Sequence, residues 1–124
     1  MYRDIATKWT AALRSGDYTQ GKGALHRNGA FCCLGVLCDL HRQEVGGEWC
    51  QYQSPEVTVP QGTLTYMAPG GDWDYALLPD EVAVWAGLRG TRPSADSEPL
   101  TVRNDEGMAF DQLADLIDTR WETL

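Results

Sequence analysis

The chain has 124 residues, 43% of them hydrophobic and 10% aromatic, with a formal net charge of −8. That length suits one domain with one core, leaves no room for a separate substrate domain, and the apolar content argues against disorder or a need for metal or disulfides in folding. The charge is uneven, with six Lys or Arg against five Asp or Glu over residues 1–53 and four against thirteen over residues 54–124. Such a balance repels duplex nucleic acid and leaves the first half as the place for a small anion to bind.

In chain order, Asp4 is a candidate cap for a helix that places Ile5, Trp9, Ala12 and Leu13 on one face, and Gly16 ends it. The segment Gly16–Gly23, GDYTQGKG, has the spacing of a nucleotide-binding P-loop. It fails that reading in three ways: Gly23 supplies no hydroxyl after Lys22, a helix rather than a strand precedes it, and no helix comes after it to hold phosphate at its N-terminus. What is left is a loop of three glycines with bare amides, a candidate anion nest to which Lys22 and Arg27 add charge. Ala24-Leu25 and Ala30-Phe31 then read as short strands about an Asn28-Gly29 hairpin turn.

CLGVLCDLHR predicts a central, buried helix from about Cys33 to Arg42, closed by Gly46-Gly47. Its cysteines, with Cys32 and Cys50, read as reduced thiols. Cys38 and His41 share a helical face, but no paired Cys-x-x-Cys brackets them as structural zinc requires, and buried thiols make poor nucleophiles beside His26 or His41. EWCQYQ and TLTYM alternate as strands, with Pro55, Pro60 and Gly62 marking turns. APGGDWDYALLP reads as a loop that frees Trp73 and Tyr75. Pro79-Asp80-Glu81 opens a short helix carrying Val82, Trp85 and Ala86, stopped at Gly87 or Gly90. TRPSADSEP is linker-like, and LTV is expected to be a strand. A final helix, Phe110–Trp121, buries Phe110, Leu113, Ala114, Leu116, Ile117 and Trp121 and turns Asp111, Asp115 and Asp118 to solvent. The sum is a single α+β domain over 1–124, with about four helices around a small, mainly antiparallel sheet.

FCCLGVLCDL, LPDEVAVWAGL and NDEGMAFDQLADLID, together with Ser15-Gly16, Tyr18, Gln20 and Gly23, carry a resemblance. The chain resembles a family of short, mostly uncharacterised proteins of tailed phages and actinobacterial genomes, over most of its length apart from residues 45–75 and 89–99. The resemblance implies a phage-type accessory protein and marks the Asn104-Asp105-x-Gly107 turn. One departure stands out. Ala109 occupies the N-cap of the last helix where a Ser or Thr is expected, so either Asp105 caps that helix or its end frays.

Carboxylate pairs such as Asp72 with Asp74 fit solvated turns better than acid–base chemistry. The expected function is therefore binding without catalysis, cofactor or metal. Tyr18, Gln20, Lys22, Gly23, Arg27, Trp73, Tyr75, Asn104 and Asp105 would hold a small anionic, nucleotide-derived molecule, since rings stack on bases and cations meet phosphate. By analogy with other small phage sequestering proteins, that molecule is a host immune signal such as a cyclic nucleotide or an ADP-ribose derivative, captured by a homodimer or higher homo-oligomer. Two other readings stay open: an acidic inhibitor that docks on a basic host enzyme, and a small Cys or Asp hydrolase. No apolar run approaches the roughly 20 residues of a membrane span, and MYRDIATKW lacks a signal-peptide core, so the expected location is the cytoplasm of the infected bacterial host.

Overall fold

The most apolar segment of the chain takes the central position. In the computed structural model, which describes residues 1–52 and 56–124, helix α2 (Cys33–Glu44) buries Cys33 through Asp39 and also His41. Helix α1 (Arg3–Arg14) packs beside it through Ile5, Ala6, Trp9, Thr10 and Leu13. The buried Trp9 indole donates to the Cys33 carbonyl at 2.9 Å, which satisfies its one polar atom inside the core. Asp4 lies in the first turn and Tyr2 holds the N-cap position without a side-chain cap, so the predicted Asp4 cap is shifted by two residues.

The sheet is built from short strands, β1 (Thr19–Gln20), β2 (His26–Arg27), β3 (Ala30–Phe31), β4 (Glu48–Gln51), β5 (Thr63–Met67) and β6 (Trp73–Asp74). Its order is β1-β3-β2-β5-β4, with β6 also pairing β5, and among the described residues every pair is antiparallel except β1 with β3. Asn28 and Gly29 adopt φ of 52° and 80°, the double left-handed turn that fits hairpin twist. The first hairpin strand is His26-Arg27 rather than Ala24-Leu25, because Ala24 and Leu25 pass beneath α2 instead. Gly35 allows that approach. A Cβ there would run into the Leu25 carbonyl oxygen.

Two expected loops are strands. The glycine-rich segment contains β1, and GGDWDY contains β6, which turns back on β5 through Pro69-Gly70-Gly71. Of the expected EWCQYQ strand, Gln53 lies outside the described residues, as does the Pro55 turn.

Helix α3 (Asp80–Ala86) stops at Gly87, φ 72°. Its first turn and the β5–β6 turn clamp each other: Asp72 Oδ2 accepts the Glu81 N–H at 3.2 Å, and Glu81 Oε1 accepts the Gly70 N–H at 2.7 Å. The linker-like stretch is a small hairpin, β7 (Ser94–Ala95) with β8 (Glu98–Pro99). The LTV segment is not a strand but the start of helix α4 (Leu100–Asp105). Two β-favouring residues, Thr101 and Val102, mislead here because Pro99 precedes a helical first turn that needs no N–H from it.

Helix α5 (Phe110–Arg120) runs along α1 and ends in a 3₁₀ turn, Trp121–Thr123. Its N-terminus is neither frayed nor capped by Asp105. Gln20 Oε1, from β1, accepts the Phe110 N–H at 3.0 Å, and Gln112 Oε1 accepts the Ala109 N–H at 3.1 Å. Among the described residues the architecture is thus one α+β domain of five α-helices with a mixed, mainly antiparallel sheet. Among the described residues no helix is long and apolar enough to cross a membrane.

Candidate functional site

Strand alternation sorts the sheet residues onto two faces. Toward α2 lie His26, Phe31, Trp49 and Tyr66 in one continuous run of rings, His26 stacked on Phe31 at 3.8 Å and Trp49 against Tyr66 at 5.0 Å. Asp39 of α2 closes this layer, accepting from Tyr18 Oη at 2.7 Å, Arg42 Nε at 2.7 Å, Trp49 Nε1 at 3.1 Å and Gln43 Nε2 at 3.1 Å. Burial pushes the Asp39 carboxyl up, but the hydrogen bonds from Arg42, Tyr18 and Trp49 outweigh it and hold it below the usual range. A carboxylate so fully engaged is structural.

The opposite face has a different chemistry. Register places Glu48, Cys50 and Tyr52 beside Met67, Thr65 and Thr63 of β5, the last pair fixed by the Tyr52 N–H on the Thr63 carbonyl at 3.2 Å. On the other flank of β5, Trp73 pairs Met67 and Arg27 pairs Thr63, with Tyr75 two residues beyond Trp73. The rings converge: Tyr52 lies 4.8 Å from Tyr75 and 6.3 Å from Trp73, centroid to centroid. Cys50, Gln51, Tyr52, Thr65, Met67 and Trp73 line a groove of about 170 Å³. Trp73 is 54% exposed and Met67 37%, so two large side chains stand in water above buried threonines. At the end of the face Arg27 donates through Nε to Thr63 Oγ1 at 2.7 Å, which fixes the guanidinium plane.

The chain matches the model of a family described as Domain of unknown function (DUF8296) over residues 1–121. It belongs to this family. No curated protein and no solved structure matches it.

In this DUF8296 chain the nine residues singled out from sequence separate into distinct places. Arg27, Trp73 and Tyr75 share the outer sheet face. Gln20, Gly23, Asn104 and Asp105 form a joint between β1, the loop after it and the α4–α5 connection. Fully buried Asn104 accepts from Gln20 Nε2 at 3.0 Å and the Cys33 N–H at 3.3 Å, and donates to the Gly21 carbonyl at 2.8 Å. Two of the three glycine amides are not bare: Gly21 donates to the Phe31 carbonyl at 2.7 Å, and Gly23 donates to Asp105 Oδ1 at 3.1 Å. The Asp105 carboxylate, from the last residue of α4, sits where an anion was expected. Lys22 is exposed beside it, and Tyr18 points to Asp39 on the far side of the sheet, where burial and then that bond push its phenol up.

Tyr52 and Met67 were missed as site residues. Their signal was available, since EWCQYQ and TLTYM alternate, and the same parity that turns Trp49 and Tyr66 toward α2 puts Cys50, Tyr52, Thr65 and Met67 on the other face. The other candidate chemistry is less well placed. Burial raises the Cys32 thiol to about 11 and lifts Cys33 and Cys38 well above the ordinary value, which suppresses thiolate formation. The acidic stripe of α5 is partly neutralised, because Arg14 Nη2 lies 2.7 Å from Asp115 Oδ1 and 2.8 Å from Asp118 Oδ2.

Proposed function

We propose that this protein captures a small, planar, anionic molecule of nucleotide origin on the outer face of its sheet, and holds it without chemical change. The observation that supports the reading most is the placement of Tyr52, Trp73 and Tyr75 on one face with an anchored guanidinium at its end. Stacking a base on an aromatic side chain contributes about 1–3 kcal/mol, and it accepts any base because each has a π-face. A guanidinium fork binds phosphate oxygens in two parallel hydrogen bonds. Rings at the centre and a cation at the edge match a base joined to phosphate.

An open face leaves one side of such a ligand in water, so we further propose that a second copy covers it in a homodimer. The role is sequestration of a host signal such as a cyclic nucleotide or an ADP-ribose derivative, in the cytoplasm of an infected bacterium; the resemblance to phage proteins supports that part. Titration with ADP-ribose and with cyclic dinucleotides, monitored by tryptophan emission, tests the ligand. Quenching that saturates in the wild type and weakens at least tenfold in Trp73→Ala and in Arg27→Ala supports the reading. Equal responses in all three proteins contradict it.

A further inference from the structure

His41 carries a buried polar atom without a partner. The ring is 1% exposed, Nδ1 lies 2.6 Å from Tyr66 Oη, and Nε2 makes no hydrogen bond. Tyr66 has a single proton, and its hydroxyl donates to the Gly46 carbonyl at 3.1 Å. With that proton spent, the neutral imidazole donates through Nδ1–H to the Tyr66 oxygen, and Nε2 is left as a lone pair. Facing it is Glu81 Oε2 at 3.8 Å, an acceptor that a lone pair cannot bond. Nε2 is therefore the atom that takes a proton.

The groups around the ring set its proton affinity. Tyr66 faces it from β5, Glu81 and the Trp85 ring edge from α3, and Glu44 from the last turn of α2, itself paired to Lys8 of α1. Burial pulls His41 below its ordinary value, with Glu81 and Glu44 opposing. Glu81 has a second attachment. Its Oε1 holds the Gly70 N–H at 2.7 Å in the turn that leads into β6, and Trp73 is the first residue of β6.

We propose that His41 is an acid-responsive pin for the β5–β6 turn: on taking up one proton from solvent, its Nε2–H closes on Glu81 Oε2, and the shared carboxylate carries the movement to Gly70 and Trp73. The closure has room, since 3.8 Å must shorten to about 2.8 Å for a charge-assisted bond. The carboxylate cannot turn toward His41 without changing its bond to Gly70. Acid thereby reshapes the face that carries Trp73. Where that face binds a nucleotide-derived anion, a consequence that rests on the proposed function, affinity changes over the same pH range.

The test needs no ligand, so it fails or succeeds independently of the binding proposal. In ¹⁵N-labelled protein taken from about pH 8 to about pH 5, the His41 ring, the Gly70 amide and the Trp73 indole N–H should shift with one common midpoint below about 6.5, the ordinary histidine value, while α5 amides stay still. Glu81→Gln keeps an acceptor for Gly70. In it, the Gly70 and Trp73 responses should vanish, while His41 titrates at a lower midpoint for want of the carboxylate. A Gly70 signal unmoved through the His41 titration overturns the proposal. So does a response that persists in Glu81→Gln, or a His41 that stays neutral until the whole spectrum collapses.

Discussion

Asn104 shows how far a single side chain can reach in this molecule. It bonds β1 through Gln20, the loop after β1 through the Gly21 carbonyl, and the first N–H of α2 through Cys33, all from a fully buried position. Replacing it with Ala leaves the Cys33 N–H and the Gly21 carbonyl unsatisfied. Each buried orphan costs about 1–3 kcal/mol, so Asn104→Ala should lower unfolding free energy by about 2–4 kcal/mol. Urea unfolding reads the change directly; a loss under about 0.5 kcal/mol, the range of an ordinary surface substitution, would show that the joint carries little. The residue was legible in the sequence only as part of a turn. Nothing in Asn-Asp-x-Gly says that its amide reaches across 71 residues to Cys33, because pairing at that separation is a property of the fold. Ala109 teaches the same lesson, since the missing cap is supplied by Gln20 from 90 residues away.

Elements with a strong period were the legible ones. α1, α2 and α5 follow their apolar spacing, and β5 coincides with TLTYM, because each buries a face whose period the sequence repeats. Two-residue strands have no period to read, so β1 and β6 passed for loops. They exist because β3 and β5 offer unpaired edges nearby. Close approach is likewise invisible in composition. Gly35→Ala gains about 1 kcal/mol in helix propensity, but its Cβ meets the Leu25 carbonyl, a backbone atom that cannot rotate away. The clash should win, with a net loss of about 1–3 kcal/mol measured by chemical unfolding. A stabilised variant would mean that Leu25 and α2 separate freely. The same helix makes a prediction about thiols. Cys32, Cys33 and Cys38 are buried and Cys50 half-buried, so a thiol reagent at about pH 8, near the ordinary thiol pKa, should modify one cysteine per folded chain promptly and the other three only on unfolding. Prompt reaction of two or more contradicts the packing of α2.

Taken whole, the molecule has one sheet face sealed by helices and one that presents rings to water, and the two respond to solution conditions differently. On the sealed side burial lowers both His41 and His26, with partial opposition from Glu81 and Glu44 in one case and Asp39 in the other. Because these folded values lie below 6.5, the unfolded chain binds protons more readily, and the stability they contribute is complete above about 6.5 and lost as pH falls toward the folded values. Asp39 works in the same direction at lower pH, its depressed carboxyl keeping its contribution until pH falls below about 3.8. Melting temperature should therefore decline between about pH 7 and about pH 5, and His26→Gln should flatten the decline. A melting temperature constant across that range would contradict the burial of the two rings. On the open side the central claim is that Tyr52, Trp73, Tyr75 and Arg27 hold a nucleotide-derived anion. Its most direct test is to incubate the purified protein with an extract of infected, defence-activated bacteria, wash it, denature it and identify by mass spectrometry what is released. The account predicts an intact nucleotide-derived molecule from the wild type and none from the Arg27→Ala, Trp73→Ala double variant. A chemically altered product, equal release from both proteins, or no small molecule at all would contradict it.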